Sequence, residues 1–317
     1  MPGDKVYFLD TYINSSELSD AVLFESNGKY ALIDTGSTLS SMEVVEFLHD
    51  LGVKKLEFIL ISSFDTGNFG GIYGKNKTNN LLLSDIKVKR LYMKEYSASD
   101  SLFYDQDGKQ LRSMTDISER RKVRIAMYDS IREVTIQKDI SFITINGSLK
   151  KLDLGNYEFD LYNTKNNLKA YSGKCLRNYN CNENSNSVVV YASVNGRKLY
   201  LANDIENQYK DSATKYLKTK TEEVTAKSVF SDHDKKVDVY KVANNGNSNS
   251  NLSSILKELK PRYSIVTNER DYFDNNSNDA LRRVKKYTGN KVFYTGDGTI
   301  ILSINKEGNI FITQLNK

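Results

Sequence analysis

The sequence predicts an α/β protein in which two β-sheets lie face to face with helices on their outer sides. Three observations predict it. Short apolar runs of strand length recur in both halves of the chain, stretches with apolar residues at helical spacing separate many of them, and glycine- or asparagine-containing turns mark the reversals. No linker rich in Gly, Pro or Ser divides the 317 residues, so a single domain over 1–317 is expected.

The elements follow in order. Residues 21–25 form a short apolar run, Ser26-Asn27-Gly28-Lys29 reads as a hairpin turn, and 30–33 returns as a second strand. Asp34-Thr35-Gly36 breaks that strand. From about Thr38 a helix places Val44, Val45, Leu48 and Leu51 on one side and stops at Gly52, followed by an apolar strand over 56–61. Residues 62–71 read as a glycine-ended turn. A strand over 88–93 leads through a polar stretch to a helix over 118–134, the helical part of an insertion around 97–140. That helix carries Arg120, Arg121, Lys122 and Arg124, expected to form a solvated face. The second half offers strands at 158–162, 188–193, 198–202, 237–242 and 263–267, with Asn195-Gly196 as a two-residue hairpin signal. Helices are expected over 207–217, 252–259 and 279–287, the second ended by Pro261. A closing hairpin spans 299–304 and 310–314.

Composition sets limits. The net charge is +5, and Lys and Arg are spread along the chain among acids, so neither a clustered basic face nor a nucleic-acid partner is expected. No run approaches the roughly 20 apolar residues that cross a bilayer, and the start shows no signal-peptide layout. Cys175 and Cys181 lie close together, free thiols in a loop or, in an oxidising compartment, a small disulfide-closed loop.

Four segments taken together resemble the metallo-β-lactamase fold, in particular the branch of phosphorylcholine esterases and competence-protein hydrolase domains. They are Ser19-Asp20-Ala21-Val22-Leu23-Phe24-Glu25-Ser26-Asn27-Gly28 with Ile33-Asp34-Thr35-Gly36, Gly52 to Leu60, Asn184-Ser185-Asn186-Ser187 with Val194 to Leu201, and Val237-Asp238-Val239-Tyr240-Lys241-Val242. The resemblance implies an αββα sandwich of two mixed sheets. It also implies a two-metal centre built on a His-x-His-x-Asp-His motif. Matched position by position, this chain has Ser63 and Asp65 for the first two histidines, Gly67 for the aspartate and Asn68 for the third, while Gly70 and Gly71 remain. The family's Gly-Asp corresponds to Asn203-Asp204, and its later His-His to Asn244 and Asn245.

The chain has only two histidines, His49 and His233, and neither falls at a ligand position. Hydroxyls and amides do not hold zinc at useful affinity, so no zinc cofactor is expected. If the resemblance holds, Ser63, Asp65, Asn68, Asp204, Asn244 and Asn245 converge on an oxygen-rich cluster. That cluster is a hydrated polar pocket or, with Asp65 and Asp204 as its charges, a weak site for Ca²⁺ or Mg²⁺. Asp34 either caps its own turn or orients groups at the cleft. His233, between Asp232 and Asp234, is a loop histidine with a small claim to acid–base work. Tyr96, Phe103 and Tyr104 fall where the esterases have the segment after the central strand; they offer faces to a quaternary ammonium or simply pack the core.

The expected function is therefore that of a catalytically inactive protein on a hydrolase scaffold, binding a small molecule, glycan or protein, such as cell-surface phosphocholine. The alternative is a phosphodiester or ester hydrolase using an oxygen-ligand cation, and a third possibility is a purely structural role with an idle cleft. The richness in Asn, Lys, Ser and Tyr suggests a bacterial coding sequence, and an extracellular or cell-surface setting is favoured over a cytoplasmic one.

Overall fold

In a computed structural model of the chain, the described residues are 3–13, 18–73, 81–96, 119–165, 184–210, 216–218, 220–270, 279–289 and 291–316. Cys175, Cys181, Phe103 and Tyr104, with most of the segment before the 119–137 helix, lie outside them.

The first half contributes β1 (Asp4–Phe8), β2 (Val22–Ser26), β3 (Lys29–Ile33), helix α1 (Ser41–Asp50), β4 (Lys55–Leu56), β5 (Phe58–Leu60), α2 (Thr66–Tyr73), α3 (Leu81–Asp85), β6 (Lys87–Val88), β7 (Arg90–Lys94), α4 (Glu119–Gln137) and β8 (Ser141–Ile145). The second contributes β9 (Lys151–Leu154), β10 (Tyr157–Tyr162), β11 (Val189–Val194), β12 (Arg197–Leu201), β13 (Gln208–Lys210), β14 (Tyr216–Lys218), α5 (Thr221–Asp232), β15 (Val239–Lys241), α6 (Ser253–Leu259), β16 (Tyr263–Val266), α7 (Asp279–Thr288), β17 (Val292–Tyr294), β18 (Ile300–Ile304) and β19 (Ile310–Gln314).

Eight strands form one sheet in the order β19-β18-β1-β2-β3-β5-β7-β8, and seven form another in the order β17-β16-β15-β12-β11-β10-β9. Each sheet has an antiparallel part and a parallel part: β3, β5, β7 and β8 run parallel in the first, β12, β15, β16 and β17 in the second. Parallel strands need crossovers, and the crossovers bring the helices to the outer faces. Between the sheets, Phe24, Phe58, Tyr157 and Phe159 pack edge-to-face or stacked at 5.0–5.9 Å. Outside the first sheet, Val44, Leu48, Tyr128 and Ile131 of α1 and α4 cover Leu32, Ile59 and Leu91; outside the second, Ala226, Leu256 and Leu281 cover Tyr191 and Tyr240. The architecture is the αββα sandwich that the strand–helix order predicts. No helix among the described residues is long and apolar enough to cross a membrane.

Two readings of local structure are corrected. Residues 66–73 form a helix, not a glycine-ended turn. Its glycines serve close packing: a Cβ on Gly70 would lie 2.1 Å from the backbone of Ser37 and Thr38. Where a helix is predicted over 207–217, the described residues are instead strand β13, paired antiparallel with β14, and the helix comes later, as α5. The buried face of α5 includes Thr221, Glu222 and Thr225, so its apolar periodicity is too weak to read from sequence.

One end of the sandwich is knotted by a single carboxylate. Asp4 accepts from Ser26 Oγ at 2.5 Å, from Asn156 Nδ2 at 3.2 Å and from Asn195 Nδ2 at 2.8 Å. It thereby ties the β2–β3 turn of one sheet to the β9–β10 and β11–β12 turns of the other. This end also holds a cavity of about 660 Å³ lined by Asp4, Glu25, Asn156 and Glu307.

Candidate functional site

The opposite end collects polar side chains from the ends of the central strands, where crossovers leave a crevice in α/β folds. Asp34 follows β3, Ser62 and Ser63 follow β5, Asn203 and Asp204 follow β12, Lys241 ends β15, and Thr267 and Asn268 follow β16. Asp20 enters from the segment before β2, and Asn68 from α2.

Three linked clusters result. In the first, Asp34 accepts from the Ser62 backbone N–H at 2.7 Å, the Ser62 hydroxyl at 2.6 Å and Asn68 Nδ2 at 3.0 Å. Asp34 thus braces the β5 end and α2 across strands, and the sequence reading that it caps its own turn is corrected. Its backbone is left-handed, φ +59°, a conformation Asp tolerates better than bulkier residues. Burial, then repulsion from Asp20, pushes its carboxyl well above the usual range, while the Ser62 hydrogen bonds oppose that rise.

In the second, the Lys241 ammonium donates to Asp20 Oδ2 at 2.6 Å, with the two side chains 0 and 1% exposed. Asn245 Nδ2 donates to Asp20 Oδ1 at 3.1 Å and to Thr267 O and Oγ1 at 3.1 and 3.0 Å. In the third, the Ser63 hydroxyl donates to Asp204 Oδ2 at 2.9 Å, and the Asp204 backbone N–H donates to Ser187 Oγ at 3.2 Å. Burial and the nearby Asp20 raise the Asp204 carboxyl to about 7 against the pull of Lys241 and Ser63. Asn244 Nδ2 reaches Glu206 Oε2 at 3.4 Å. Asn244 and Asn245 both sit at φ +49°, which gives this pair of asparagines a backbone reason to be there.

The predicted site residues are thus brought together, with one set apart. Ser63 and Asp204 touch, as do Asp34 and Asn68, while Asn244 and Asn245 lie on the neighbouring turn; all are buried. Asp65 turns aside. Its carboxylate starts α2, accepting from the Gly67 N–H at 3.3 Å, and pairs with Arg124 Nη2 at 3.6 Å. Arg124 in turn donates to Phe64 O at 2.9 Å and is 5% exposed, so for this residue the expected solvated arginine face is corrected.

Tyr96 is buried. It stacks on Phe64 at 4.5 Å, and Phe64 stacks on Phe69 at 4.4 Å, so its ring packs the core rather than presenting an open face. Neither histidine reaches the centre: His49 is exposed on α1, and His233 ends α5, stacked on Tyr191 at 3.9 Å with Nε2 3.2 Å from Asp160. Among the described residues no group of three or more His, Cys, Asp or Glu is placed to hold a metal ion. The donors do not fit the two-zinc centre of the scaffold.

Sequence reasoning missed Asp20, Lys241, Ser62 and Arg124. For Lys241 a signal exists, a lysine inside the apolar run Val239-Tyr240-Lys241-Val242. Arg124 carries none, since its burial depends on where α4 lands.

No protein-family model matches the chain, and no curated protein sequence matches it. Solved structures do. A metallo-β-lactamase-fold protein from Bacillus subtilis, YhfI, superposes with a TM-score of 0.51 at 11% identity, covering 98% of this chain and 100% of that one. The β-hydroxylase CmlA gives 0.48 at 10% identity over 96% of this chain and 54% of that one, and a diphosphatase of the PhnP family 0.44 at 10% over 98% and 99%. With two mixed sheets, helices on both outer faces and the YhfI superposition over nearly its whole length, this chain has the metallo-β-lactamase fold.

Proposed function

We propose that this protein is a catalytically inactive member of the metallo-β-lactamase-fold group that works by binding a ligand or partner. The observation that carries the reading is the company its carboxylates keep. Asp34, Asp20 and Asp204 accept from Ser62 and Asn68, from Lys241 and Asn245, and from Ser63. Where the scaffold would set imidazoles around metal, this chain sets hydroxyls, amides and an ammonium that satisfy one another. A water activated by zinc needs a donor set this centre does not supply.

The binding partner is a small molecule, a glycan or a protein; cell-surface phosphocholine is the specific suggestion of the esterase resemblance, with an extracellular or cell-surface setting. Metal analysis of protein purified without chelator, followed by phosphodiester and phosphorylcholine ester assays, tests the reading. Substoichiometric zinc and no turnover are expected. Stoichiometric zinc with turnover abolished by Asp204→Ala overturns it.

One observation favours a second reading. Asp65 is close enough to Asp204 to help raise its carboxyl, and the Asp65 side chain is 37% exposed. A hard cation held between them would make a hydrolase dependent on Ca²⁺, Mg²⁺ or Mn²⁺. A flat response to all three removes it.

A further inference from the structure

The fold gathers cations that the sequence spreads. Lys236 precedes β15, Lys257 lies in the last turn of α6, Lys260 and Arg262 precede or open β16, Lys286 lies in the last turn of α7, and Lys291 precedes β17. All six side chains are exposed. They come together because β15, β16 and β17 run parallel and start at the same level. The Val237 N–H donates to Leu259 O at 3.1 Å, the Arg262 N–H to Val237 O at 3.4 Å, and the Ser264 N–H to Lys291 O at 3.0 Å. Ser264 Oγ lies 2.7 Å from Thr288 Oγ1, which brings the C-terminal end of α7 to the same corner. Neighbouring strands are about 4.8 Å apart, so the three strand starts span roughly 10 Å.

Acids nearby are already engaged. Glu258 pairs with Lys235 at 2.9 Å, and Asp238 with Arg197 at 3.3 Å. The Lys235 bond, then the charges of Lys257 and Lys260, hold the Glu258 carboxyl below its usual range, a sign of a positive local field.

We propose that this corner is a docking surface for an anionic, phosphate-bearing membrane. Two observations favour a lipid surface over a nucleic-acid strand. The aromatic rings here are occupied by cations: Arg262 and Lys291 lie 5.0 and 5.6 Å from the Tyr263 ring centre, and Lys286 lies 5.6 Å from that of Tyr287. A single strand would need open faces on which bases stack. The cations also stand on separate segments at one end of the sheet and its helix layer, which suits a broad anionic plane better than a narrow track. None of the exposed large apolar side chains belongs to these segments, so the contact is electrostatic and peripheral. Lys236 and Val242 are six residue steps apart along extended chain, at about 3.3 Å each, which places the polar centre roughly 20 Å from the corner and facing away from the bilayer.

The test is co-sedimentation of the full chain with sucrose-loaded vesicles of 3:1 phosphatidylcholine and phosphatidylglycerol, against phosphatidylcholine alone. Binding to the anionic vesicles only, abolished by 0.5 M salt, is expected. Each cation is worth about fivefold in partitioning, so Lys260→Gln/Arg262→Gln/Lys291→Gln lowers it roughly 100-fold. Lys54→Gln/Lys87→Gln/Lys138→Gln removes the same net charge from other exposed sites and leaves binding within about threefold if the corner is specific. Circular dichroism confirms folding, and Lys236→Gln/Lys257→Gln/Lys286→Gln serves in place of the first variant if that one unfolds. Equal losses in the corner and control variants, or tighter binding to a single-stranded oligonucleotide than to the vesicles, overturns the proposal. The proposal stands apart from the inactive-enzyme reading, since neither assay depends on the other.

Discussion

The Lys241–Asp20 pair offers the sharpest test of how the polar centre is held together. Lys241→Met keeps the length and most of the volume of the side chain while deleting the ammonium that Asp20 accepts at 2.6 Å. Both groups are at most 1% exposed, so no water takes over the role of the lost donor, and among the described residues Asp20 keeps only the Asn245 amide at 3.1 Å as a side-chain partner. Stranding one member of a buried pair costs about 3–5 kcal/mol. At 2–4 °C per kcal/mol, the melting temperature falls by on the order of 10 °C. A double-mutant cycle separates the pair from its surroundings: Asp20→Leu alone is expected to be about as damaging, while Lys241→Met/Asp20→Leu recovers at least half of the loss because neither charge is then left alone. Urea denaturation at pH 7.5 measures all four corners. A Lys241→Met protein within 1 kcal/mol of the parent, or strictly additive single losses, would refute the argument that this ion pair anchors the centre.

Three further outcomes follow from the same geometry. Asp204 and Glu222 are both raised to about 7 by burial, so the folded state binds protons that the unfolded chain has already released; stability is fully present below about pH 4 and is lost as pH rises toward 7, at up to about 1.4 kcal/mol per unit for each group. Melting curves at pH 5 and pH 8 check this, and a flat or rising profile contradicts it; Asp204→Asn shallows the slope. Gly70→Ala drives a methyl to 2.1 Å from the Ser37–Thr38 backbone and costs about 3 kcal/mol or more, visible as loss of soluble protein or an early urea midpoint. Arg124→Gln frees Asp65 and leaves Phe64 O without its buried donor, with an expected loss of about 1–3 kcal/mol by urea denaturation and faster proteolysis near α2.

The layers were legible from local chemistry. Asn27-Gly28 and Asn195-Gly196 are hairpin turns because left-handed backbone is needed there, and Val44, Val45 and Leu48 bury one side of α1 because their spacing leaves no other arrangement. Where the local signal misleads, tertiary packing is the reason. Gly67, Gly70 and Gly71 resemble turn residues, yet they line a helix pressed against the chain at Leu18, Ser37 and Thr35. Thr221, Glu222 and Thr225 break the apolar stripe of α5 yet are buried, and Glu222 Oε1 accepts from the Asn251 N–H at 2.8 Å.

By itself the sequence determined the alternation of strands and helices and a chain with two histidines, since periodicity and residue identity are properties of the chain alone. Only the tertiary structure decided which polar side chains meet at the strand ends. That Lys241 neutralises Asp20 across 221 residues of sequence, that Arg124 leaves the solvent to hold Asp65, and that cations from separate segments come to one corner depend on strand order and helix packing. Contacts between residues so distant in sequence carry no local pattern, because the energy that selects them is released only when the elements that carry them pack together.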